Sequence, residues 1–137
     1  MYNKKVMEIF QNPQNVGEIK GASAVGTSGN EKCGEIIKLY LQINDKKIVT
    51  DAKFKASGCA STISCSSIAT VLVIGKTLEE VSKITSEDIL KAVGNLPEQK
   101  VYSSILAKEA IDKAILDYNK KQAKLLKEKN KKNAKKN

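Results

Sequence analysis

The run IIKLYLQI, residues 36–43, constrains this 137-residue chain more than any other feature. Ile37, Leu39, Leu41 and Ile43 fall on one side of a two-residue period, and Lys38, Tyr40 and Gln42 on the other. That period belongs to a half-buried strand. Asn44, Asp45, Lys46 and Lys47 supply a turn, and IVTDAKFKA (48–56) resumes the alternation with Ala52, Phe54 and Ala56 on one face. The pair predicts an antiparallel hairpin. Directly after it, SGC (57–59) leads into ASTISCSSIATVLVIG, whose pattern is helical from Ala60 to about Gly75.

Other elements follow from punctuation. Val6, Ile9 and Phe10 share a helical face, and NPQNVG (12–17) ends that helix through Pro13 and Gly17. Residues 20–35 are rich in Gly, Ser and Asn and read as a loop. Thr77 with Glu80, and Thr85 with Asp88, have the spacing of capping boxes and predict short helices near 78–83 and 86–93. Ser103 or Ser104 is expected to cap a long final helix with the apolar stripe Leu106, Ala110, Ile111, Ala114, Ile115 and Tyr118. No repeat is visible. The fold class is α+β: a small antiparallel sheet packed against several helices, ending in a long C-terminal helix.

The charge balance excludes some functions. Nine lysines against Glu128 lie in residues 119–137, giving +8 of the net +9, so the preceding 118 residues are nearly neutral. The tail has neither arginine nor aromatic residues, so it lacks bidentate base readout and stacking groups. A solvated helix end is expected there, and nucleic acid is not an expected partner. No apolar run approaches the ~20 residues that span a bilayer, so no membrane partner is expected. The N-terminus has no signal-peptide core, and three cysteines fit a reducing compartment; a cytoplasmic location is expected.

The three thiols differ in setting. Cys33 and Glu35 are two residues apart in an extended segment, so a thiolate and a carboxylate share one side; the alternative is an ordinary loop cysteine. Lys32 beside Cys33 favours the thiolate. Cys59 follows Gly58 at a strand-to-helix turn, where helix amides favour thiolate and anions; simple buried packing is the alternative. Cys65, six residues on, is turned about 120° from that face and joins Ile68, Ala69 and Leu72. It reads as core. Without histidine or a CxxC pair, zinc-finger spacing is excluded.

NPQNVG, CGEIIKL, DAKFKASGCASTISCSS, GKTLEEV, LPEQK and SSILAKEAIDKAILDY occur in an order and spacing that resembles the IscU/NifU N-terminal family of iron–sulfur cluster assembly scaffolds over about residues 2–125. The uninterrupted interval from Cys59 to Ser103 is similar to the IscU branch. The resemblance implies a scaffold domain over residues 1–125 with a Lys/Asn-rich, disordered or frayed tail at 126–137. It implies a non-enzymatic protein that accepts sulfur from a cysteine desulfurase, binds iron, and passes a transient [2Fe–2S] cluster to apo iron–sulfur proteins. Cys33, Glu35 and Cys59 match family ligand positions, with zinc as another occupant. Glu35 stands where the family has an aspartate.

Leu96, Pro97 and Lys100 match a loop that docks an Hsp70-type chaperone in the family, although Glu98 and Gln99 depart from it. The main departure is at Tyr102 and Ser103, where the family has histidine and then a ligand cysteine. Neutral hydroxyls are poor ligands beside thiolates. Cys65 is not expected to substitute, given its face. A homodimer supplying four thiolates, or a partner's thiol, would complete the set. The alternative implied function is a diverged sulfur-acceptor or adaptor protein that binds a desulfurase, with or without zinc, and builds no cluster.

Overall fold

The computed structural model describes residues 3–30, 32 and 34–135, with side chains described as far as residue 129. The elements are α1 (Lys4–Gln11), β1 (Ala24–Asn30), β2 (Glu35–Ile43), β3 (Val49–Ser57), α2 (Ala60–Val73), α3 (Leu78–Ser82), α4 (Ser86–Ala92), a 3-10 turn (Glu98–Lys100) and α5 (Tyr102–Lys135). The sheet is antiparallel in the order β1-β2-β3. Among the described residues, no helix is long and apolar enough to cross a membrane.

The expected hairpin is present, with Leu39 opposite Phe54 and Ile36 opposite Ser57. Ile37, Leu39, Leu41, Ile43, Ala52 and Phe54 are buried on its inner face. Tyr40 points the other way yet is also buried, with its hydroxyl donating to Glu18 at 3.4 Å and Lys38 Nζ 5.3 Å from its ring centre.

The segment expected to be loop contains a third strand, β1. Its sequence AVGTSGN carries few strand-forming side chains because α5 presses on its backbone. A Cβ at Gly26 would lie 2.1 Å from the Ala110 carbonyl oxygen and 2.4 Å from the Ala114 nitrogen. Ser28 Oγ donates to the Leu106 carbonyl at 2.7 Å, and the Val25 amide donates to Asp117 Oδ2 at 2.9 Å. These contacts hold the α5 stripe of Leu106, Ala110, Ile111 and Ala114 against the sheet, with Tyr118 buried at its far end.

Helix α2 is buried on most of its circumference although it is rich in hydroxyls. Ser61, Thr62, Ser64, Cys65, Ser66, Ser67, Ala69, Thr70 and Val73 are all enclosed. The hydroxyls are satisfied locally and across elements: Ser64 donates to Val6, Ser66 to Thr62 and Ser67 to Gln14, at 3.0, 2.7 and 3.1 Å. Among the described residues, no buried side-chain polar atom lacks a partner. Both expected capping boxes form, Thr77 with Glu80 and Thr85 with Asp88. Each carboxylate is held below its usual pKa first by the backbone amide of its threonine.

The start of α5 differs from expectation. The helix begins at Tyr102, so Ser103 and Ser104 lie inside its first turn instead of capping it. Ser104 Oγ donates to the Val101 carbonyl at 2.7 Å. Ser103 is turned inward, 1% exposed.

Candidate functional site

Two features of the hairpin bring distant residues together. The antiparallel register pairs Ile36 with Ser57, so Glu35 at the start of β2 sits beside the Gly58–Cys59 turn that follows β3. Gly58 has φ +150°, outside the region that side-chain-bearing residues readily adopt, and turns the chain into α2. A Cβ there would also meet Thr62 Oγ1 at 2.8 Å. The missing side chain thus leaves room for Thr62 to reach back toward β2.

Thr62 uses that room to donate to Glu35 Oε1 at 2.8 Å. The Cys59 thiol approaches the same oxygen at 3.5 Å. Cys59 is the N-cap residue of α2, half-buried, and its sulfur lies 2.9 Å from Ser61 Oγ and 3.6 Å from Thr62 Oγ1. Ser61 Oγ is in turn 2.9 Å from Ser103 Oγ, which comes from the first turn of α5. Glu35, Cys59, Ser61, Thr62 and Ser103 therefore form one connected polar cluster where the end of the hairpin, the start of α2 and the start of α5 meet.

Cys33 lies outside the described residues. Glu35 and Cys59 are together, and Ser103 is joined to them through Ser61. Cys65 is enclosed in the hydrophobic core with 0% exposure. Burial, then the nearby charges of Cys59 and Glu35, push its thiol up to about 12. A thiol buried and held neutral in this way is a poor nucleophile at neutral pH. Leu96 packs on the core, Pro97 precedes the 3-10 turn, and Lys100 ends it, its amide bonded to the Pro97 carbonyl at 2.8 Å. Beside the cluster, Tyr102 and Ile105 are about half exposed, at 50% and 48%.

Among the described residues, no three His, Cys, Asp or Glu side chains converge as a metal-holding group. The metal-competent groups gathered there are the Glu35 carboxyl and the Cys59 thiol, accompanied by three hydroxyls. The strand pattern puts Glu35 at the start of β2 and Cys59 just after β3, as observed, but it does not single out Ser61 and Thr62. The signal for these was available: residues two and three after an N-cap lie in the first helical turn, over the cap.

Residues 1–125 match the model of the NifU-like N terminal domain. The iron-sulfur cluster assembly scaffold protein IscU 1 of Archaeoglobus fulgidus is 46% identical over 125 residues, covering 91% of this chain and 81% of the relative. The corresponding IscU protein of Haemophilus influenzae is 44% identical over 124 residues, covering 88% and 98%. Among solved structures, the N-terminal part of a NifU-like protein from Brucella abortus superposes with a TM-score of 0.67 at 25% identity, covering 88% of this chain and 95% of that one. With a family model matched over most of its length and relatives of this identity, the chain belongs to the NifU-like N-terminal domain family, among IscU-type scaffolds.

Proposed function

We propose that the chain is a scaffold on which an iron–sulfur cluster is assembled as cargo and then released. The observation that carries this reading is the meeting of Glu35 Oε1 and Cys59 Sγ, 3.5 Å apart, at the open end of the hairpin in a member of this family. Thiolate sulfur suits iron and cluster binding, and a carboxylate beside it is a harder, more readily exchanged donor. Cys33 is the third donor in this reading, carried by the family resemblance.

Sulfur is delivered by a cysteine desulfurase. An acceptor thiolate attacks the outer sulfur of the donor's persulfide, takes it up as a new persulfide, and leaves the donor's thiolate behind. Two electrons per persulfide, supplied by an external dithiol or protein electron donor, cleave its S–S bond to sulfide and return the acceptor thiolate. Two such sulfides and two iron ions then make a [2Fe–2S] unit held by Cys33, Cys59 and Glu35. The fourth position is filled by a second copy of the chain or by a partner's thiol, since Ser103 offers only a neutral hydroxyl already bonded to Ser61. The cluster is passed to apo iron–sulfur proteins. The loop at Leu96, Pro97 and Lys100 is the proposed contact for an Hsp70-type chaperone, with Glu98 and Gln99 altering its recognition.

Anaerobic incubation with iron, sulfide and a desulfurase tests the reading. A coloured protein with acid-labile sulfide is expected; a chain that stays colourless and sulfide-free overturns it. The absence of a third cysteine at Ser103 favours one other reading, a sulfur acceptor that binds a desulfurase and zinc or no metal. Mass spectrometry separates the two: persulfide on Cys33 or Cys59 without labile sulfide supports the acceptor alone.

A further inference from the structure

A serine at the entrance of α5 has two roles open to it: direct ligand or support. The geometry assigns the second. Ser103 is 1% exposed, and its Oγ lies 2.9 Å from the Oγ of Ser61, a fully buried residue. Ser61 Oγ lies 2.9 Å from Cys59 Sγ. Two such steps place Ser103 Oγ at most about 5.8 Å from the sulfur, with Ser61 between them.

We propose that Ser103 and Ser61 form a hydroxyl relay that holds a hydrogen bond on the Cys59 sulfur, making both serines positioning residues for the metal or cluster that Cys59 binds. This rests on the scaffold reading above. A serine hydroxyl has one proton and two acceptor sites. If Ser103 donates to Ser61, the Ser61 proton is directed at sulfur while Cys59 remains oriented toward Glu35. The direction persists when the thiolate binds a metal, because sulfur then only accepts. Removing Ser103 unlocks the Ser61 rotor; removing Ser61 takes the hydrogen bond away altogether. Groups that orient a ligand in this way typically change metal affinity by about 10–100-fold.

Anaerobic titration of the full chain with cobalt(II) alone reads both affinity and coordination. Ser61→Ala is expected to weaken binding about 10-fold or more, and Ser103→Ala by a smaller factor of roughly 3–10. Because Ser103 acts through Ser61, the double variant should bind as Ser61→Ala does, with no further loss. The thiolate-to-cobalt band should keep its intensity per bound ion and move in energy, since no ligand is removed.

Independent losses that multiply in the double variant, or single variants with wild-type affinity, overturn the relay. So does a change in the cobalt ligand-field bands of Ser103→Ala that reports a lost ligand. A wild-type chain that binds no cobalt overturns the scaffold reading and the relay together, whereas wild-type binding with unaffected variants overturns the relay alone. Each substitution removes one oxygen from a helical position, and unchanged far-ultraviolet circular dichroism identifies folded variants.

Discussion

Cys59 and Cys65 sit on the same helix, six residues apart, and have opposite environments. Cys59 occupies the N-cap of α2, half-buried, with Glu35, Ser61 and Thr62 within 3.6 Å of its sulfur. Cys65 is enclosed by the core, and burial is the largest reason that its thiol is pushed up to about 12. The same side chain is the proposed cluster donor in one place and a small hydrophobe in the other. What differs is the set of polar neighbours: Glu35 from the hairpin and Ser61 and Thr62 from the first turn of α2 surround the Cys59 sulfur.

Replacing each thiol should separate these roles with the largest effect available. Cys59→Ala is expected to abolish retention of labile sulfide after anaerobic reconstitution. Cys65→Ala should retain the cluster and lose only about 1–2 kcal/mol of stability from the small void. Denaturant titration and sulfide analysis on the same two variants measure both quantities. Cluster loss in Cys65→Ala with the fold intact would break the comparison.

The buried thiol also predicts a pH dependence. Burial pushes the folded thiol up to about 12, above the 9.0 of an accessible thiol, so the unfolded chain releases this proton first. Below pH 9 both states keep it, and Cys65 adds no slope. As pH rises from 9 toward 12 the unfolded state is favoured, and stability falls by about 1 kcal/mol per unit from this group. The measurement is the difference between wild-type and Cys65→Ala urea midpoints at pH 8 and pH 10.5, which isolates this group. The variant should lose less stability than the wild type; equal losses would place Cys65 in a more hydrated setting.

Gly58 is where the environment of Cys59 is made. Gly58→Ala introduces a Cβ 2.8 Å from Thr62 Oγ1 at a backbone angle of φ +150°. A destabilisation of about 2 kcal/mol is expected from strain and crowding, together with weaker metal binding as Thr62 is displaced from Glu35. Thermal unfolding and zinc titration report the two effects.

Much of this contrast is legible in the sequence because it follows from periodicity. The alternation of residues 36–43 and 48–56 fixes the hairpin, and the helical offset between positions 59 and 65 sends one cysteine to the cap and the other to the core. Pairing the strands about the turn also places Glu35 against Gly58 and Cys59. Local pattern could not reveal β1, whose Gly26 reflects the close approach of α5 and whose Gly29 reflects the close approach of the Glu35 backbone. Nor could it show that Ser103 meets Ser61, a contact between residues 42 positions apart that depends on how α5 lies against α2. Tyr40 escaped the pattern for a related reason: its partner Glu18 belongs to a segment with no period of its own.

The smallest effect should come from the carboxylate arm of the cluster. Glu35 reaches the Thr62 hydroxyl at 2.8 Å and the Cys59 sulfur at 3.5 Å with a single oxygen, and the longer glutamate side chain sets that reach. Glu35→Asp withdraws the carboxylate by one methylene while keeping its charge, so the electrostatic contribution largely survives and the hydrogen bond to Thr62 lengthens or breaks. Thr62→Val removes the same hydrogen bond from the other side and leaves Glu35 its full length. If orientation of the carboxylate governs how firmly cargo is held, both variants should release a reconstituted cluster to a chelator about threefold faster, a change of roughly 0.6 kcal/mol. If length alone governs it, Glu35→Asp changes the rate and Thr62→Val does not. Release rates followed by visible absorbance distinguish these outcomes, and they decide whether Thr62 belongs with Cys59 in the working cluster or with Cys65 as packing of α2.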